Sequence, residues 1–564
     1  VEIMLGGRAT LSERTVELRR SESLAEPLES AVPSGPQVRT ITAAAMGTVF
    51  EWYEFTLYAA MASILAAKFF SGLDPSISFI FALLTFGVGF VVRPFGAIFF
   101  GRLGDLIGRK RTFMITIVIM GLSTFAVGLL PIYETAGIFA PILLVTLRVL
   151  QGLALGGEYG GAVIYVTEHV ERNKRGLSTS FIQMTGTLGF LTALLSIQLV
   201  QALASQSAFD AWAWRIPFLI SIVLLGLSVR VRLQMHESPV FQRMAEQKRL
   251  SGSPVRETFG SRQNLKLLAI ALIGIGGGMS VVYYNAVLYP LFFLSRTLNV
   301  PMPVANLVTT VAAFCSIPMI WFAGWLSDRL GRKPVILAGF ILGLVATFPI
   351  FHQIANLANP ALAKAQAETL VSIQTDTSGC SFMFNPLGNR KFTSPCDVAR
   401  QVLSAASVNY TRVDRPGSPV TEVRVGDWII SVGAPESLNQ ASFSRDLMAA
   451  VKQAGFGAAG NPDGLDQAKI VGLLLVLLLA MALGYAPVGV AMAEMFPARI
   501  RYTAMSFPYH FSSGWIGGLL PTFAFAIAVA QGNIFAGLWY TIGWLIVGIV
   551  VTGLFYREKP MEAE

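Results

Sequence analysis

Gly101-Arg-Leu-Gly104-Asp105-Leu-Ile-Gly108-Arg109-Lys110 recurs further along the chain as Gly324-Trp-Leu-Ser-Asp328-Arg-Leu-Gly331-Arg332-Lys333. Asp105 and Asp328 are 223 positions apart, and so are Arg109 and Arg332. A second pair follows each copy. Glu168 precedes Arg175 by seven, Glu494 precedes Arg501 by seven, and the two glutamates are 326 positions apart. A repeat of this period predicts two related halves. The difference between the two offsets, 103 residues, predicts an extra segment in the second half, between its copies of the two motifs.

Apolar stretches flank both copies. Of the 564 residues, 54% are hydrophobic and 13% charged, with a mean hydropathy of +0.60. A soluble protein of this size carries about 25% charged residues. Apolar runs of about 20 residues, each long enough to cross the hydrocarbon core, are the direct reading. They fall near 41–66, 78–101, 112–131, 138–168, 177–203, 213–234, 267–294, 303–326, 334–352, 469–495, 502–529 and 533–556. The expected fold class is therefore all-α membrane: twelve transmembrane helices in two six-helix pseudo-symmetric bundles. A small α/β extracytoplasmic insert follows the ninth helix.

The net charge of +9 does not point to nucleic acid. Lys and Arg cluster in the loops after spans 2, 4, 6, 8, 10 and 12, and the opposite short loops hold little beyond Lys68 and Arg296. By the positive-inside rule both termini are cytoplasmic, which an even number of spans requires. The expected location is a plasma membrane, as a multi-pass protein of a bacterial inner membrane. Residues 1–38 are polar and lack a signal-peptide core, and read as a disordered cytoplasmic tail. The division is then 39–234 for the first bundle, 235–266 for a cytoplasmic linker, 267–352 plus 469–556 for the second bundle, and 353–468 for the insert.

The repeated motif has a physical task. Gly101, Gly104, Gly108 and Gly331 permit close approach and tight turns. Asp105 and Asp328 can accept hydrogen bonds at a helix terminus or pair with Arg109 and Arg332. Together these eight residues form an expected cytoplasmic gate.

Other motifs carry a family resemblance. They are Phe50-Glu-Trp-Tyr-Glu-Phe55, Arg93-Pro-Phe-Gly96, Arg148-Val-Leu-Gln-Gly-Leu-Ala-Leu-Gly-Gly-Glu158-Tyr-Gly-Gly161, Trp214-Arg-Ile-Pro-Phe218 and Glu237-Ser-Pro-Val-Phe241. With the loop after span 2, they resemble the major facilitator superfamily, and within it the metabolite:proton symporters. The resemblance covers about 41–352 and 469–556. It implies a carrier of dicarboxylates, tricarboxylates, shikimate or zwitterionic osmolytes. It says nothing of 353–468.

Ionisable groups at membrane depth are costly and are functional candidates by default. Glu51 and Glu54 lie one turn apart on span 1 with Tyr58 on the same face. Arg93 is in span 2, and Arg148 and Glu158 are in span 4. Counting about 1.5 Å per residue from the basic ends puts Glu51 and Glu158 roughly 15 Å deep and Arg93 roughly 12 Å deep. These residues form either a proton and substrate site or pairs that only knit the half together, as Glu158 beside Arg93 could. A carboxylate in a partly dry cavity can take up and release a proton, and an arginine can hold a substrate carboxylate with two hydrogen bonds. Gln183, Tyr283, Tyr284 and Asn285 are candidate cavity residues. Tyr485, Pro487 and His510 are weaker ones.

The insert holds nine Lys/Arg and ten Asp/Glu over 353–468, so its charge does not oppose export. Ser394-Pro-Cys-Asp opens an expected helix to about Ser407. Val420–Val432 alternates and reads as strands, and Leu438–Gly455 reads as a helix. Cys380 and Cys396 are disulfide candidates in an oxidising compartment. Asn409-Tyr-Thr411 matches a glycosylation sequon, here read as coincidental.

The expected activity is proton-coupled symport of a small polar metabolite, an organic acid, by alternating access. The alternatives are a sugar-type facilitator of the same fold and a membrane sensor using the insert. No nucleotide loop or nucleophile–base constellation points to an enzyme or an ATP-driven pump. No cofactor or metal is expected. The expected partners are a small-molecule substrate, protons and the lipid bilayer, with no nucleic acid, and the chain is expected as a monomer.

Overall fold

In hydrocarbon every backbone N–H and C=O must be satisfied within its own segment, so each apolar run becomes a helix. The computed structural model describes residues 35–71, 75–381, 393–433, 439–456 and 466–558. Most of the expected N-terminal tail lies outside them. The first half comprises α1 (Gly35–Ala60, continued by Ala62–Phe69), α2 (Pro75–Ile107), α3 (Arg109–Leu129), α4 (Phe139–His169), α5 (Arg175–Leu203) and α6 (Ala213–Leu233). The second half begins with α7 (Arg262–Thr297), α8 (Met302–Leu330) and α9 (Arg332–Ala358). Ten helices among the described residues are long and apolar enough to cross a membrane. The 33-residue α2 and the 26-residue first segment of α1 occupy the other two expected spans.

After α9 the chain leaves the bundle on the face opposite the basic loops. A four-stranded sheet forms from β1 (Val371–Thr375), β2 (Thr411–Asp414), β3 (Thr421–Val425) and β4 (Trp428–Val432), in the order β2-β1-β3-β4. β1 pairs parallel with β2 and antiparallel with β3. The helices of this module are α10 (Pro360–Glu368), α11 (Pro395–Ala405) and α12 (Gln440–Gln453). Ser394 caps α11 by accepting from the Asp397 N–H at 3.1 Å. The chain then re-enters the bundle as α13 (Gln467–Met495), α14 (Arg501–Gln531) and α15 (Leu538–Phe555).

The structure joins Cys380 to Cys396, with Cα atoms 5.5 Å apart, and leaves Cys315 free and exposed. Non-reducing peptide mapping is expected to return the Cys380–Cys396 peptide pair crosslinked and Cys315 as a free thiol. Free thiols at 380 and 396 in purified protein would contradict this.

The module is bolted to the second half. The Tyr410 N–H donates to the Gly532 carbonyl at 2.8 Å, and its hydroxyl donates to the Val529 carbonyl at 2.9 Å. Asn409 Oδ1 accepts from the Ile534 N–H at 2.8 Å. The sequon asparagine is thus spent on a structural contact.

Two features of the bundles position the site. Gly96, Gly152 and Gly156 let α2 and α4 touch backbone to backbone, since a Cβ at any of them would collide with the facing main chain. That contact holds Arg93 and Arg148 at fixed places. In addition, α7 and α14 carry π-helical segments at Ile270–Gly276, Phe293–Thr297 and Ser512–Gly517. Such bulges frequently accompany functional sites.

Candidate functional site

On the basic face, the repeated motif reaches across the two halves. A helix begins with unsatisfied N–H groups and a partial positive charge, which a carboxylate can neutralise. Asp105, at the end of α2, accepts from the N–H groups of Tyr502 at 3.2 Å and Thr503 at 2.9 Å, and from the Thr503 hydroxyl at 2.8 Å. It therefore caps α14 of the other half. Asp328, at the end of α8, accepts from the Gly176 and Leu177 N–H groups, both at 2.8 Å. It caps α5 of the first half in the same manner.

The glutamates and arginines close each corner. Fully buried Arg109 lies 3.4 Å from Asp105 and 3.6 Å from Glu168, and donates to the Ala498 carbonyl at 3.0 Å. Arg501 donates to Glu168 at 2.9 Å. In the other corner Arg332 meets Asp328 at 2.6 Å and Glu494 at 3.7 Å, and Arg175 meets Glu494 at 3.3 Å. Gly108 and Gly331 turn the chain with φ of 106° and 97°, a region open to glycine. Beside these turns lie Glu237, which accepts from the Arg109 N–H at 2.9 Å, and Glu558, which accepts from the Lys333 N–H at 2.5 Å. Gly101 and Gly104 admit the α14 backbone and the Tyr502 ring.

A second group lies deeper, where the halves meet. Glu54 is ion-paired with Arg148 at 3.5 Å, and the Arg148 guanidinium lies 4.1 Å from the centre of the Tyr58 ring. Arg93 rests over the Phe90 ring at 4.6 Å. Glu51 lies within reach of the charges of Arg93, Glu158 and Glu54. Among the described residues, Glu51 Oε2, Arg93 Nε and both ring nitrogens of His510 are buried without a hydrogen-bond partner. Buried polar groups are nearly always paired, so these atoms are candidates for contact with a substrate or water.

Aromatic rings surround it. Tyr159 of α4 stacks on Tyr509 of α14 at 3.9 Å. Trp52 of α1 meets Tyr283 of α7 at 6.0 Å, and Tyr283 meets Tyr485 of α13 at 5.0 Å. Tyr284 packs on Tyr283, and Gln183 donates to the Tyr159 hydroxyl. Asn285 points elsewhere: it donates to Thr347 at 3.1 Å, inside the second half. Ser506, His510 and Ser513 share one face of α14, and each has buried polar atoms without a partner.

The structural alternative raised for Glu158 takes a different partner. Glu158 does not pair with Arg93. It pairs with Arg232 of α6 and accepts from the Thr116 hydroxyl at 2.9 Å. Arg232 is fully buried. Arg232 is not among the candidates read from the sequence, yet Phe218, Ser221, Leu225, Ser228 and Arg232 form one buried stripe at helical spacing. That stripe was the available signal. Arg232→Leu leaves Glu158 buried and unpaired, which is expected to cost about 3–5 kcal/mol. The thermal midpoint in detergent should fall, and adding Glu158→Leu should recover most of the loss.

The comparisons with known proteins agree with this architecture. Residues 40–253 match the family described as Sugar (and other) transporter, and residues 278–362 match the Major Facilitator Superfamily. The shikimate transporter of Escherichia coli K12 is 36% identical over 314 residues, covering 54% of this chain and 70% of that one. The chain belongs to the major facilitator superfamily. The proline/betaine transporter of the same strain is 36% identical over 327 residues, or 57% of this chain, and the match spans 65% of that relative's length. The proton:xylose symporter XylE of E. coli shares the superfamily fold at 15% identity, with a TM-score of 0.59 over 93% of this chain and 96% of XylE. The facilitator fold makes this a multi-pass membrane protein. An inner membrane metabolite transport protein of E. coli, YhjE, is 34% identical over 339 residues, 59% of this chain and 76% of that one.

Proposed function

We propose that the chain is a proton-coupled symporter of a small zwitterion, working by alternating access, with both termini in the cytoplasm. The observation that carries this is the group of Glu51, half-buried Arg93 and His510, each with a buried polar atom that no hydrogen bond reaches, beside a wall of aromatic rings. Arg93 supplies a fork for a carboxylate. Trp52, Tyr159, Tyr283, Tyr485 and Tyr509 suit an alkylated ammonium, which aromatic faces attract. An organic acid without the ammonium, the expectation from sequence, would use the arginine and leave the rings idle. The names of the proline/betaine relatives support the zwitterion.

Glu54 is the proton carrier in this reading. Ionised, it holds Arg148; protonated, it releases that arginine toward the cavity. The corners built on Asp105 and Asp328 act as the cytoplasmic gate, closed in this structure. When they part, the halves rock and the site meets the cytoplasm.

The test is uptake into proteoliposomes of labelled glycine betaine, proline and shikimate, with and without an inward proton gradient. Gradient-dependent accumulation of betaine or proline supports the proposal. Accumulation of shikimate alone would return the organic-acid reading. Equilibration without accumulation would make the protein a facilitator.

A further inference from the structure

Three helices end at one place on the face opposite the basic loops. The last turns of α7, α11 and α14 line a cleft of about 440 Å³ between the module and the second half. This volume suits a small molecule. Each helix is closed by a residue in the left-handed region: Asn299 at φ 54°, Ser407 at φ 55° and Gly532 at φ 66°. Behind each, the next N–H returns to the helix: Val300 to the Leu294 carbonyl, Val408 to Leu403 and Asn533 to Ala528, at 2.9, 2.9 and 3.1 Å. These are three glycine-type C-caps around one space.

The electrostatics follow from that arrangement. A helix C-terminus carries about half a negative charge. Three of them converging favour a cationic group between them. Among the described residues, no acidic side chain lines the cleft, and its one charged side chain is exposed Arg296. Phe525, Val529 and Val408 add apolar wall. A ligand with an ammonium toward the helix ends, a carboxylate toward Arg296 and alkyl groups against the wall fits all three features. Neither bundle nor module forms the cleft alone, because Ser404, Ala405, Ser407 and Val408 come from the insert.

We infer that the insert completes a second, external binding site for a small zwitterion, at which substrate is captured before it enters the central cavity. This rests on the zwitterion reading above. It gives the insert a role in transport, distinct from that of a free-standing receptor.

The experiment is equilibrium binding of labelled glycine betaine to the full chain in nanodiscs. Wild type is expected to bind two molecules per chain. Ala405→Trp fills the cleft from an exposed position and should leave one. Arg296→Gln removes a charged hydrogen bond and should weaken one site about ten- to hundredfold. Arg93→Gln should remove the other site and spare the one that Ala405→Trp blocks. Should Ala405→Trp lose its monodisperse elution, Arg296→Gln decides. One site in wild type, unchanged by either cleft variant, overturns the inference and leaves the transport reading standing. No betaine bound to wild type overturns both.

Discussion

Glu54→Gln is expected to abolish gradient-driven accumulation while substrate exchange continues. Glu54 is 2% exposed and held 3.5 Å from Arg148, beside Tyr58. The amide keeps the shape of the carboxyl and cannot ionise. Arg148 is then never recaptured, and the carrier behaves as though permanently protonated. A potential of 100 mV is worth about 2.3 kcal/mol per charge, or about 50-fold in concentration for one proton per substrate. The variant should bring that ratio to about one. Counterflow of labelled against unlabelled substrate should persist at a rate close to that of wild type. Accumulation at the wild-type level would remove Glu54 from the coupling step.

Asp105→Ala is expected to open the basic face. The substitution removes three hydrogen bonds to the start of α14 and leaves Glu168 as the remaining ion-pair partner of fully buried Arg109. Each of these three bonds, made to a buried carboxylate across the two halves, contributes about 1.5–3 kcal/mol. Their loss falls on the closed state only, because the α14 N–H groups reach water once the face opens. A shift of that size changes the balance of states by more than about a hundredfold. Spin labels at exposed Arg102 and Arg499, one in each half, should report a longer distance in the variant. Asp328→Ala should act alike at the other corner. An unchanged distance distribution in both variants would show that the corners do not hold the face closed.

The bundle was legible because membrane helices announce themselves by length, apolarity and basic loops. Helix ends were less so. α2 runs on to Ile107, past the end of its apolar stretch, because a helix continues through a polar turn until a residue such as Gly108 breaks it. In the module, Thr421–Val425 showed the period of two that one buried face requires, and Trp428–Val432 kept only half-buried Ile430 and Val432 on one face. Thr411–Asp414 is exposed at every position and carries no such pattern, so β2 was invisible. Counting depth along helices grouped Arg93 with Glu158, but depth does not fix the direction in which a side chain points. Arg93 turns to the Phe90 ring, and Glu158 turns to α6. The partners of Asp105 and Asp328 lie 397 and 152 positions away, across a boundary that no local pattern encodes.

The corners on the basic face have one more property. Asp105 reaches residues 502 and 503, and Asp328 reaches residues 176 and 177. Residues 176 and 177 are displaced from 502 and 503 by 326 positions, the same offset that separates Glu168 from Glu494 and Arg175 from Arg501. Patch one grips patch two while the copy of patch one grips the copy of patch two, which is the reciprocity of an isologous interface in a two-fold dimer. The chain is such a dimer with its subunits fused. A duplicated half therefore needed no new contact to hold its sister, because it already carried both the plug and the socket. The module, present in one half only, breaks the two-fold on the far face and leaves this one symmetric.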